Sequence, residues 1–160
     1  MRTFLAALLC NFTLAALANP PPNYPFVSYD KGLKLAQQTG KPIFLYFGRY
    51  GCGWCEQTNK KSFSDAGLKK LYLKDFVLVY VDTESGKRVS LPNGERITEA
   101  ELGTRFNALA SPLFVFLTPQ AQEIFQAPGF KTVQDFTDFD HYVVEGHYKS
   151  QTLLEFLAKK

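Results

Sequence analysis

The strand-length apolar run Ile43-Phe44-Leu45-Tyr46-Phe47 closes on Gly48 and leads, after Arg49-Tyr50-Gly51, into Cys52-Gly53-Trp54-Cys55. The following Glu56-Gln57-Thr58-Asn59-Lys60-Lys61 is polar and free of Gly and Pro, so a helix can start at the cysteines. Cysteines at this spacing on a first helical turn can close a small disulfide ring. A thiol at the helix start also meets unpaired backbone N–H groups and the positive end of the helix dipole. Both favour thiolate, the attacking species in disulfide exchange. A structural disulfide or half of a zinc site would use the same spacing. Zinc takes four ligands, and the chain offers besides these only Cys10 and the distant His141 and His147, so no metal is expected. The redox reading is favoured. The two histidines read as surface or packing residues.

A chain of 160 residues is one domain's worth. With 46% hydrophobic and 15% aromatic residues it can bury a core, and Phe is the abundant aromatic. A formal charge of +3 is too weak to point to nucleic acid.

Residues 1–18 read as a secretory signal peptide. Arg2 gives a positive start, Phe4 to Leu17 is apolar apart from Asn11 and Thr13, and Ala16-Leu17-Ala18 places small residues at the cleavage positions. Cleavage is expected between Ala18 and Asn19. The apolar run is too short for a comfortable membrane span, so no stable membrane insertion is expected. Cys10 follows Leu9, where lipidation wants a small residue, and is lost with the segment. The mature chain then keeps cysteines only in the motif. Export places them in an oxidising compartment, the periplasm, where disulfide partners exist.

Residues 19–28 are Pro-rich and predict an extended, poorly ordered lead-in to a domain over 29–160. Asp30 to Gln38 predicts a short helix, and Ile43 to Phe47 the first buried strand. The helix from Cys52 runs to about Asn59 or beyond, Phe63-Ser64-Asp65 bends, and Ala66 to Leu73 resumes with Leu68, Leu71 and Tyr72 on one face. Phe76 to Val81 is a second continuous apolar run, as in a strand covered on both faces. Pro92-Asn93-Gly94 between Arg88–Leu91 and Arg96–Thr98 signals a hairpin. Thr98 with Glu101 forms a capping-box pattern opening a helix to about Asn107. Leu113–Leu117 is a third strand and Glu123–Gln126 a fourth, antiparallel one. Thr132 to Val144 and Gln151 to Ala158 are terminal helices. The order indicates an α/β layer architecture.

With Ser111-Pro112 standing just before Leu113-Phe114-Val115-Phe116, the chain resembles the thioredoxin superfamily. The resemblance implies a thioredoxin fold, a central mixed sheet of about four to five strands flanked by helices, with a hairpin insertion before the proline-led strand. It implies that Pro112 is cis and faces the dithiol, and that the backbone of Ser111 pairs with a bound substrate strand. More narrowly, Cys52-Gly53-Trp54-Cys55-Glu56, Phe63-Ser64-Asp65, Asn93-Gly94 to Thr98-Glu99, Ser111 to Leu117 and Tyr142-Val143-Val144-Glu145-Gly146-His147-Tyr148 resemble exported SoxW-like proteins. Departures from small thioredoxins are plain. Trp54 stands where Pro precedes the second cysteine, and Gly51 where Trp precedes the first. Tyr46 takes the place of the buried acid, and about Leu78 that of the lysine facing it. Glu56, Asp82 or water is left to accept the resolving proton, Glu56 being the candidate residue.

The expected chemistry is thiol–disulfide exchange without any cofactor beyond the Cys52–Cys55 disulfide. Cys52, the more exposed thiol, attacks, and Cys55 resolves. Gly53, Trp54, Ser111 and Pro112 form the expected substrate surface, with Tyr50 and Trp54 as an apolar rim. Expected partners are disulfide-bearing client proteins and a membrane thiol electron donor. Two alternatives remain: a non-catalytic binding module with a structural disulfide, and a client-specific reductant serving copper or haem maturation.

Overall fold

The computed structural model describes residues 20–160; the expected signal peptide and its cleavage site lie outside them. The helix α1 (Tyr29–Thr39) comes first, followed by the strand β1 (Ile43–Gly48), α2 (Gly53–Lys61), α3 (Ala66–Asp75) and β2 (Val77–Asp82). A hairpin of β3 (Arg88–Ser90) and β4 (Arg96–Thr98) leads to α4 (Glu99–Arg105). Then come β5 (Leu113–Leu117), β6 (Glu123–Pro128), α5 (Val133–Val144), a 3-10 turn (His147–Lys149) and α6 (Leu153–Leu157). The main sheet has the order β2-β1-β5-β6. β1 runs parallel to β2 and antiparallel to β5, and β6 is antiparallel to β5. The hairpin forms its own two-stranded sheet.

Strand alternation divides the core in two, because successive side chains point to opposite faces. Phe44 and Tyr46 of β1, Leu78 of β2 and Phe114 and Phe116 of β5 face α2, α3 and α5, together with both cysteines. Ile43, Leu45, Phe47, Val77, Val79, Val81, Leu113, Val115 and Leu117 face α1, α4 and the hairpin. The sheet is covered on both sides, which is why β1, β2 and β5 read as unbroken apolar runs. The first face is dominated by rings. Phe44 meets Tyr72 and Phe136 edge-on and stacks on Phe114.

Three helices open on the capping box, a side-chain exchange with the third helical residue that satisfies backbone donors otherwise unpaired. The pairs are Thr98 with Glu101, Thr132 with Asp135 and Thr152 with Glu155. The last of these starts α6 two residues later than the apolar pattern predicted.

The lead-in departs from expectation. Residues 20–28 are docked, not poorly ordered. Tyr24 is buried and its hydroxyl donates to the Phe63 carbonyl at 3.1 Å. The Phe26 ring packs against Phe44, Tyr46 and Tyr80. Val27 N–H donates to Leu78 O at 3.0 Å, and Tyr80 N–H donates to Val27 O at 3.2 Å. The lead-in therefore pairs with the open edge of β2 through a short parallel bridge. Its prolines mask two aromatic residues whose burial offsets the cost of ordering it.

Candidate active site

β1 ends at Gly48, where an added Cβ would come within 2.8 Å of the Tyr80 hydroxyl. The chain then turns through Gly51 at φ +67°, a left-handed conformation that glycine adopts without steric cost. This turn explains the glycine found before the first cysteine. Cys52 is the N-cap of α2, with extended backbone, and its Sγ accepts the Cys55 N–H at 3.1 Å. The sulfur thus does what a Ser or Asp oxygen does at other helix starts. Cys52 and Cys55 are joined as a disulfide with Cα atoms 5.2 Å apart.

Both cysteines are deeply set, Cys52 at 4% and Cys55 at 2% exposure. The expected difference in exposure is therefore small, and the helix-cap position is what distinguishes them. Around them the surface is apolar. Tyr50 and Trp54 are 57% and 58% exposed. Gly53 is exposed, with nothing within 4 Å of the place a Cβ would take. Glu56 is half-buried in the first turn of α2.

α2 is anchored along its inner side. Thr58, fully buried, donates its hydroxyl to Trp54 O at 2.9 Å. Ser62, also fully buried, donates to Lys131 O at 2.6 Å and fixes the far end of the helix to the loop after β6. Lys60 and Lys61 lie in the last turn, where the dipole favours positive charge.

Pro112 is buried and its bond to Ser111 is cis. Phe47 pairs with Leu113, so Pro112 stands level with Gly48, at the end of β1 from which the chain runs to Cys52. It precedes Phe114 by two residues, which places it on the parity of the face that holds the cysteines. Pro112 O accepts from Gly129 N–H at 2.8 Å. Half-buried Ser111 stands two residues after Leu109, the most exposed large apolar residue described, at 89%.

On the face of the sheet that holds the cysteines, Tyr46 is almost wholly buried among Phe26, Phe63, Tyr80 and Phe114. Burial pushes its phenol well above the ordinary range, with the neighbouring Tyr80 adding to the effect. Its hydroxyl donates to Asn59 Oδ1 at 3.4 Å. In the register Tyr46 lies opposite Tyr80, while Leu78 lies opposite Phe44. The residue facing Tyr46 across the strand pair is thus Tyr80, not Leu78 as the alignment of motifs implied. Asn59 was missed in the sequence, although it lies one helical turn beyond Cys55. Leu109 and the docked Phe26 were missed too, since neither belongs to a motif.

The histidines lie apart. His147 Nε2 pairs with Glu145 at 2.9 Å, and its ring packs on Phe156. Among the described residues no group of three or more His, Cys, Asp or Glu side chains could hold a metal ion, and no helix is long and apolar enough to cross a membrane.

A family model described as thioredoxin-like domain matches residues 29–143. A relative from Caenorhabditis elegans, the uncharacterized protein B0495.5, is 30% identical over 106 residues, which cover 66% of this chain but only 14% of the relative. A thioredoxin-fold protein from Helicobacter pylori superposes with a TM-score of 0.65 at 22% identity, covering 91% of this chain and 89% of that one. A thioredoxin from Thermus thermophilus does so with a TM-score of 0.63 at 28% identity, covering 79% of this chain and 92% of that one.

Proposed function

The chain belongs to the thioredoxin-like domain family, matched over residues 29–143, and from that premise we propose that it is an exported thiol–disulfide oxidoreductase that reduces disulfides in client proteins. The observation that carries this is the Cys52–Cys55 pair at the start of α2, with Cys52 Sγ capping the helix. A group placed there is stabilised as an anion by the backbone N–H groups and the dipole.

In the reduced protein the Cys52 thiolate attacks a client disulfide. The client S–S bond breaks, one client sulfur leaves with the electron pair and takes up a proton, and a mixed disulfide joins Cys52 to the client. Cys55, having lost its proton, attacks Cys52 Sγ. The second client sulfur leaves and the Cys52–Cys55 bond closes. Two electrons have passed from the dithiol to the client. Glu56 is the candidate acceptor for the Cys55 proton, directly or through water. Trp54, Tyr50 and Gly53 receive the client beside the sulfurs, with Ser111 and Pro112 supplying the opposite wall. A membrane thiol donor returns the electrons. The export reading rests on residues 1–18 and on the likeness to SoxW-like proteins, and no cofactor beyond the disulfide enters.

Peptide mapping after brief iodoacetamide treatment of the reduced protein tests the roles. Cys52 labels first, Cys52→Ser abolishes reduction, and Cys55→Ala accumulates mixed disulfides with clients. Preferential labelling of Cys55, or full activity in Cys52→Ser, would reject this assignment. The purified exported form should begin at Asn19 by mass; an intact Met1 or a lipid on Cys10 would reject the export reading. The deep burial of both sulfurs favours a second reading, a binding module whose disulfide is structural. That reading requires the oxidised pair to resist an excess of a protein dithiol under native conditions.

A further inference from the structure

Forming a thiolate at Cys55 is costly, because burial disfavours the charged form. The residue is 2% exposed and sits in an apolar, aromatic cluster. The buried carboxylates, Glu99, Asp138 and Asp140, lie on α4 and α5, and none on β1 or α2. The β1 residue that sends a polar atom up to α2 is Tyr46, through the 3.4 Å hydrogen bond to Asn59 Oδ1. Asn59 stands four residues after Cys55, and on a helix such neighbours share a face with Cβ atoms about 5–6 Å apart. The Tyr46 hydroxyl therefore meets α2 on the face that carries Cys55 one turn earlier, and both residues belong to the same buried cluster. Its bond to Asn59 is long for an O–H donor, whose usual distance is about 2.7–2.8 Å, so redirecting it costs little.

We propose that Tyr46 is a positioning residue for the resolving step, its hydroxyl turning from Asn59 to donate a hydrogen bond to the Cys55 thiolate while that thiolate attacks Cys52 Sγ. No proton leaves Tyr46. The phenol is held in its neutral form by burial, so it acts as a donor throughout and never as the base that takes the Cys55 proton. That proton goes outward, to Glu56 or water. The roles divide: a group at the surface moves the proton, and a buried group holds the charge that the proton leaves behind.

The proposal rests on the dithiol reading above, and its test separates from it. Alkylation of Cys55 by iodoacetamide is followed against pH in Cys52→Ser and in Cys52→Ser/Tyr46→Phe. A hydrogen bond to a charged group is typically strong enough to move the midpoint by about one pH unit or more. Tyr46→Phe should raise the midpoint by at least about that much and, with Cys52 restored, slow release of the mixed disulfide about tenfold. Cys52 alkylation in Cys55→Ala should not change. An unmoved or lowered Cys55 midpoint overturns the proposal. If Tyr46→Phe does not fold, Asn59→Ala in the Cys52→Ser background frees the hydroxyl and should lower the midpoint; a midpoint unmoved or raised there overturns it equally. If the wild-type protein reduces no client disulfide, the dithiol reading fails, while the midpoint shift still decides the role of Tyr46.

Discussion

Among the described residues, Asp140 carries a buried carboxylate oxygen that burial leaves without a partner. It is 3% exposed on α5, and its Oδ1 meets no hydrogen-bond partner. Burial first, and then the Asp75 carboxylate at the end of α3, push its carboxyl up to about 7, with Lys74 opposing and Glu145 adding to the rise. An unfolded Asp titrates near 3.9. Between these values the folded chain holds a proton that the unfolded chain has lost, so stability falls as pH rises through that window and is fully present below it. Denaturant melts from about pH 4 to 8 should lose roughly 1–3 kcal/mol, the usual cost of an unsatisfied buried polar group. Asp140→Asn should flatten the profile. A slope unchanged in that variant would place the titration elsewhere. The lowered carboxyls of Asp30, Glu95, Glu101 and Glu155 act in the opposite sense and at lower pH, where acid removes their hydrogen bonds and ion pairs.

At the scale of elements, α1 lies hard against β2. A Cβ on Gly32 would meet Val79 Cγ2 at 2.1 Å, and Val79 is fully buried. Gly32→Ala should therefore cost about 1–3 kcal/mol, despite the better helix propensity of alanine, because the packed layer must move apart. A neutral or stabilising effect in thermal melts would mean that the layer yields. The lead-in is the second such contact. Removing residues 19–28 uncovers the β2 edge and the Phe26 contacts with Tyr46 and Tyr80. The truncated chain should melt several degrees lower and exchange the backbone amide of Tyr80 faster, since its bond to Val27 O is gone. Equal protection in both forms would show the lead-in to be dispensable.

Over the whole molecule, β1 and β5 each supply side chains to both hydrophobic layers. Neither layer can open without disturbing the strands that carry the other. Unfolding should be one cooperative transition, coincident by far-ultraviolet and near-ultraviolet dichroism. Phe44→Ala, at the centre of the aromatic layer, should lower stability by about 3–5 kcal/mol while the transition stays single. Separate transitions would show that the layers melt independently.

The strands β1, β2 and β5 were legible because a sheet covered on both faces requires uninterrupted apolar residues, and the start of α4 because its capping pair, Thr98 with Glu101, is local in the chain. The C-x-x-C at the end of β1 likewise marked the site, since a strand, a turn and a helix follow one another without distant help. Cys52 as a helix cap was therefore local information. What Tyr46 faces was not. Its neighbours Phe26, Tyr80, Phe114 and Asn59 come from four separate segments, and only strand register and the docking of α2 bring them together. The lead-in shows the same limit. Its prolines describe an extended backbone, but whether an extended backbone is ordered depends on whether a free sheet edge and an aromatic layer are there to receive it. The sequence by itself determined the elements and the dithiol, because these follow from neighbours along the chain. Tertiary structure alone decided what surrounds Tyr46 on the face that holds the cysteines, because burial and the polar partners of a buried group are set by segments that meet only when the layers pack.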